Sequence, residues 1–131
     1  MKTLPLEIEQ LVFKASQNHR LLSDTGIYDY TRESELLYDE TEDQQPQFAT
    51  IEVDVKHKVT SSRIKTEFNY KITLSESLER DIAYDIHETF TSLVQRTVPG
   101  EYEDMSLQKI ETKTYQGVLQ LHSEKTPINL L

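Results

Sequence analysis

Ile51-Glu52-Val53-Asp54-Val55-Lys56-His57-Lys58-Val59 decides the fold: Ile51, Val53, Val55 and Val59 share one parity, and Glu52, Asp54, Lys56 and Lys58 take the other. A few residues later Ile64, Phe68, Tyr70, Ile72 and Leu74 alternate in the same way with Arg63, Lys65, Glu67, Asn69, Lys71 and Thr73. Strand side chains point to opposite faces with period two, so this is a hairpin with one dry face and one charged face. The next apolar residues, Leu78, Ile82, Ile86, Phe90, Leu93 and Val94, recur at steps of three and four, the stripe of a helix that can cover the dry face. Ser75 or Ser77 is the expected N-cap, and Pro99-Gly100 stops the helix.

Working outward, residues 4–22 fit two patterns. Leu4, Ile8, Leu11, Val12, Ala15 and Leu22 share a helical face, whereas Leu4, Leu6 and Ile8, then Leu11, Phe13 and Ala15, also alternate as in a bulged strand. The longer periodicity favours the helix. Residues 23–47 read as a long acidic loop, with Glu33, Glu35, Asp39, Glu40, Glu42 and Asp43 interrupted by Tyr28, Tyr30, Leu36, Leu37 and Tyr38. Residues 48–74 form the hairpin, 76–98 the helix and 105–124 a second hairpin turning at Gln116-Gly117. An apolar tail, 125–131, carries Ile128, Leu130 and Leu131. The expected class is α+β: one domain, an antiparallel sheet with a long amphipathic helix on its apolar face, an N-terminal helix and a C-terminal hairpin.

Composition narrows the function. The chain has 131 residues, 14 basic against 23 acidic, for a net charge of −9. Readers of duplex DNA and anionic membranes carry the opposite sign, so neither partner is expected. The absence of cysteine removes disulfides, thiolate zinc sites and cysteine nucleophiles. Acidic Glu7 and Glu9 interrupt the first residues before a signal-peptide core can form, and no stretch has the length of a membrane span. The expected localisation on these grounds is cytoplasmic.

Chemical motifs are few. Asp54-Val55-Lys56 has the spacing of a metal-dependent nuclease strand, but Glu52 and Lys58 continue the same charged face on either side. His19, His57, His87 and His122 lie on separate elements without metal-ligand spacing, and His57 falls on the apolar parity of its strand. No cofactor or metal is expected, no catalytic residue is assigned, and the chain reads as a non-enzyme.

The order helix, acidic connection, two strands, helix, two strands, with Pro46 leading into Phe48-Ala49-Thr50-Ile51-Glu52-Val53-Asp54-Val55, resembles the tail terminator and neck proteins of long-tailed bacteriophages. That resemblance implies a homo-oligomeric ring, a hexamer, contacting other assembly proteins, and localisation in the virion if the chain is phage-encoded. Tyr28, Tyr30, Leu36, Leu37, Tyr38, Ile128, Leu130 and Leu131 are then the expected interface residues. Glu33, Glu35, Asp39, Glu40, Glu42 and Asp43 would be solvated or face a channel that repels DNA phosphates. A second set of residues is similar to the SecB export chaperones: Ile8-Glu9-Gln10-Leu11-Val12-Phe13-Lys14, Val53-Asp54-Val55, and Tyr84 with His87-Glu88-Thr89-Phe90-Thr91-Ser92-Leu93-Val94-Gln95-Arg96-Thr97-Val98-Pro99. It implies binding of unfolded polypeptide, although that family's fourth strand has no counterpart between residues 74 and 78. A nuclease ranks third.

Overall fold

The alternation in the central hairpin is realised as β2 (Gln47–Val59) and β3 (Arg63–Leu74), antiparallel, with Val53 opposite Tyr70, Val55 opposite Phe68 and Val59 opposite Ile64. Thr60 closes the turn: its N–H donates to the Arg63 carbonyl at 2.9 Å and its Oγ1 accepts from the Arg63 N–H at 3.1 Å. The structure, a computed structural model, describes residues 4–39 and 47–125. Three further strands, β1 (Gly26–Asp39), β4 (Glu101–Glu111) and β5 (Thr114–Glu124), complete a five-stranded sheet in the order β1-β2-β3-β5-β4. Every neighbouring pair is antiparallel, and the fold is α+β.

Two helices cover one face of this sheet. α1 (Leu6–Leu21) lies over β1, β2 and β3, and α2 (Arg80–Thr97) over β3, β5 and β4. The core between the layers is built from Ile51, Val53, Val55, Phe68, Tyr70, Ile72, Leu119 and Leu121 of the sheet. Ile8, Leu11, Val12 and Ala15 enter it from α1, and Ala83, Ile86, Phe90 and Val94 from α2. Each large aliphatic or aromatic side chain fully withdrawn from water is worth roughly 1.5–3 kcal/mol, so this interdigitated layer holds the fold. The opposite face stays wet, as one face of an antiparallel sheet can.

Four sequence readings are corrected. First, 26–39 of the expected acidic loop is the edge strand β1, with Tyr28, Tyr30 and Leu36 on the helix-facing parity. Arg32 and Ser34 share that parity, and two polar residues at inward positions of an edge strand erased the alternation. Second, α2 begins at Arg80 rather than 76, because Ser75 Oγ accepts from the Phe48 N–H at 3.2 Å instead of capping a helix. Third, the second hairpin begins at Glu101 rather than at 105, because β4 runs from Glu101 to Glu111. Fourth, the last hairpin turns at Thr112-Lys113, where Lys113 adopts φ 63°, and β5 runs straight through Gly117. Gly117 is required for space: a Cβ there would overlap the Tyr70 ring.

Candidate functional site

The charged residues on the wet face mostly answer one another. Lys56 stands opposite Asp29 on one side and Glu67 on the other, and Glu52 stands opposite Lys71. Asp54 Oδ1 accepts from Thr31 Oγ1 at 2.8 Å, and a hydrogen bond with Asp54 raises the Asp29 carboxyl above its ordinary range. At the other side of the sheet His122 contacts Glu103 at 2.6 Å and Glu101 at 3.1 Å, and Lys65 reaches Glu103 at 3.5 Å. Among the described residues, no group of three or more histidine and carboxylate side chains is placed to hold a metal ion.

The unusual chemistry lies in the core, where polar residues occupy inward positions. His57 and Thr66 are cross-strand partners on the dry face of β2 and β3, both fully buried. A buried polar group without a partner costs about 1–3 kcal/mol, so each such atom has to be accounted for. Thr66 Oγ1 sits between two imidazoles, 2.8 Å from His57 Nδ1 and 2.6 Å from Nδ1 of His19 on α1. His57 Nε2 is 2.7 Å from the Tyr30 hydroxyl of β1, which accepts from Asn18 Nδ2 of α1 at 3.3 Å. His19 Nε2 is 2.7 Å from Ser123 Oγ of β5, and Ser123 Oγ donates to the Pro99 carbonyl at 3.3 Å.

Counting hydrogens fixes the direction of this chain. The Pro99 carbonyl can only accept, so Ser123 donates to it and accepts from His19 Nε2–H. His19 Nδ1 is then bare and accepts the single hydroxyl hydrogen of Thr66. Thr66 in turn accepts from His57 Nδ1–H, leaving His57 Nε2 to accept from Tyr30, whose oxygen takes the Asn18 amide. In this direction every donor finds an acceptor. Reversal would leave the Tyr30 hydrogen without an acceptor along the chain and deprive Pro99 of its donor. Both imidazoles are therefore neutral, in opposite tautomers.

Electrostatics agrees with the geometry. Burial, then the neighbouring His122, lowers His19 from 6.5 to about 4. Burial, then His19 and Lys14, lowers His57 to about 4. Burial pushes the Tyr30 phenol up to about 12, with Lys14 Nζ seated 4.4 Å over its ring. Elsewhere His87 Nδ1 bonds the buried Tyr70 hydroxyl; desolvation lowers this imidazole, opposed by Glu88. The contact between His19 and Ser123 has the length of a base and nucleophile pair. Its direction is the reverse of what that chemistry needs, because His19 donates to Ser123, and a base near 4 takes a serine proton poorly.

Below the relay is a cleft of about 450 Å³, lined by His19, Leu21, Leu22, Ile64, Pro99 and Ser123 among others. Lys125 Nζ donates to the carbonyls of Ser23 and Thr60 at its rim, at 2.8 and 3.1 Å.

The interface residues expected from the sequence are dispersed. Leu36, 4 % exposed, packs in the core. Tyr30 is absorbed by the relay, and the Tyr28 hydroxyl donates to the Asp24 carbonyl at 2.9 Å. Leu37, Tyr38 and Asp39 end β1, while Glu33 and Glu35 lie exposed along it. Glu40, Glu42, Asp43, Ile128, Leu130 and Leu131 lie outside the described residues. Exposed large apolar side chains occur at Leu6, Phe13 and Leu21 on α1, at Ile27 on β1 and Phe48 on β2, at Tyr84 on α2 and at Met105 and Ile110 on β4. Among the described residues no helix is long and apolar enough to cross a membrane. No protein-family model, curated protein or solved structure matches the chain.

Proposed function

We propose that this chain is a non-enzymatic assembly subunit that forms a homo-oligomeric ring, of the kind found at the tail terminator or neck of a bacteriophage. The observation that carries the reading is that large apolar side chains are left exposed on elements at both sides of the sheet: Leu6, Phe13 and Leu21 on α1, Ile27 on β1 and Phe48 on β2, against Tyr84 on α2 and Met105 and Ile110 on β4. Leu6 with Phe13, and Tyr84 with Met105 and Ile110, are the two different surfaces that the reading pairs. A single self-complementary patch favours a two-fold dimer, whereas two different patches mate head to tail and generate closed rings. Direct pairing of β1 with a neighbour's β4 is opposed by charge. Asp29, Glu33 and Glu35 on one edge would meet Glu101, Glu103, Asp104 and Glu111 on the other. Side-chain contact between the two surfaces avoids that repulsion. An acidic bore would pass DNA without binding its phosphates.

Native mass spectrometry of the full chain tests this reading. A closed six-fold ring that dissociates on Met105→Lys supports it, and a monomer at high protein concentration overturns it. The second reading, a SecB-like holder of unfolded polypeptide, is favoured by the cleft with Leu21, Leu22, Ile64 and Pro99 on its walls. Suppression of aggregation of an unfolded client by a tetramer would select it over the ring.

A further inference from the structure

α1 is held to the sheet by two different kinds of contact that divide at Ala15. Before that point its buried residues are Ile8, Leu11, Val12 and Ala15, all apolar. After it the buried residues are Ser16 and His19, 4 % and 3 % exposed, while Leu21 is 76 % exposed. Three polar side chains fasten this second half. Ser16 Oγ donates to the Thr97 carbonyl at 2.8 Å, Asn18 reaches Tyr30, and His19 joins Thr66 to Ser123. Apolar contacts are indifferent to protons. The relay is not, because its direction leaves no position for an extra one.

A protonated imidazole donates from both nitrogens and accepts at neither. With a proton on His19, the Thr66 hydroxyl receives hydrogens from both imidazoles and its own hydrogen loses its acceptor inside the core. With a proton on His57, Nε2–H confronts the Tyr30 O–H, which must turn away. The groups facing the two rings compound the cost. Lys14 of α1 stands over Tyr30 of β1, His122 of β5, held by Glu101 and Glu103 on the charged parity, acts on His19 through its charge, and from the end of α2 the Thr97 and Pro99 carbonyls accept from Ser16 and Ser123. Among the described residues no carboxylate contacts either imidazole.

We propose that residues 16–22 form an acid-released latch, in which a proton on either relay histidine detaches the C-terminal half of α1 while its apolar half stays docked on the sheet. Lys125 still ties Ser23, so the released segment remains anchored at both ends. What opens is the cleft beneath residues 19–22, and it uncovers Ile64, Thr66 and Ser123. Once exposed, each imidazole regains a pKa near 6.5, against about 4 when latched. The released state therefore binds more protons between those two values. Release rises as pH falls through that window, by up to about tenfold per pH unit for each histidine, and levels off below it.

Hydrogen exchange on the full chain, compared at pH 7 and pH 5 after correction for intrinsic exchange rates, tests the latch. The expected result is a loss of protection at residues 16–22 of at least about tenfold beyond that at 8–15 and in α2. Thr66→Val, which keeps the shape and removes the shared hydroxyl, should loosen 16–22 already at pH 7. Equal loss of protection across both helices would mean global acid unfolding and overturn the proposal. Unchanged protection of 16–22 between the two pH values would overturn it as well.

Discussion

α1 and α2 cap the same face of one sheet, yet they hold on by different physics. α2 offers a continuous apolar stripe in which Phe90 meets Phe68 edge-on at 5.8 Å and Tyr70 at 4.7 Å between ring centroids. Its C-terminal end is closed by the Tyr102 hydroxyl, shared between the Val94 and Val98 carbonyls. α1 has such a stripe only as far as Ala15, and beyond it depends on a directed chain of hydrogen bonds. Burial of apolar surface is non-directional and tolerant of pH, so α2 serves as scaffold. A hydrogen-bonded relay is stable only for one arrangement of protons, and that gives the end of α1 a condition under which it lets go.

The sharpest way to break the comparison is to damage α2. Phe90→Ala should cost about 3–5 kcal/mol and lower the whole unfolding transition, because the cavity lies against both Phe68 and Tyr70. Chemical denaturation followed by circular dichroism measures it. Acid should act at the other helix. Both relay histidines are lowered on folding, so stability is fully present above pH 6.5 and declines as pH falls toward 4. The loss reaches about 1–3 kcal/mol for each histidine. His87 is lowered too, so α2 feels some of the same effect, but its apolar stripe remains. Gly117→Ala tests the floor beneath α2, where the new methyl collides with Tyr70. A cost of about 1–3 kcal/mol and a shifted Tyr70 signal in near-ultraviolet dichroism are expected. Met105→Lys, on the exposed flank of β4, should change subunit stability by less than about 0.5 kcal/mol while abolishing any oligomer seen by native mass spectrometry.

Much of the scaffold was legible because its residues obey one period at a time. Ile51 to Val59 and Ile64 to Leu74 alternate with a single polar residue at an inward position in each, His57 and Thr66, and the stripe from Ile82 to Val94 follows the helical period. β1 was hidden because Arg32 and Ser34 occupy helix-facing positions of an edge strand, where exposure makes them cheap. Gly117 misled because a glycine between short polar runs reads as a turn, and only the position of Tyr70 reveals that it makes room for a ring. The relay left a partial trace. His57 falls on the apolar parity of its strand, and Thr66 sits at an equally anomalous inward position. Their cross-strand pairing follows from the hairpin register alone. His19 and Ser123 could not be joined to them from sequence, since they lie 104 residues apart and meet only through the fold.

Side-chain nitrogen NMR of His19 and His57 at pH 7 tests the directed relay most directly, since each neutral tautomer has its own pair of nitrogen shifts. Neutral rings in opposite tautomers are predicted, with the proton on Nδ1 of His57 and on Nε2 of His19. Matching tautomers, the reverse assignment, or a charged ring at that pH would contradict it.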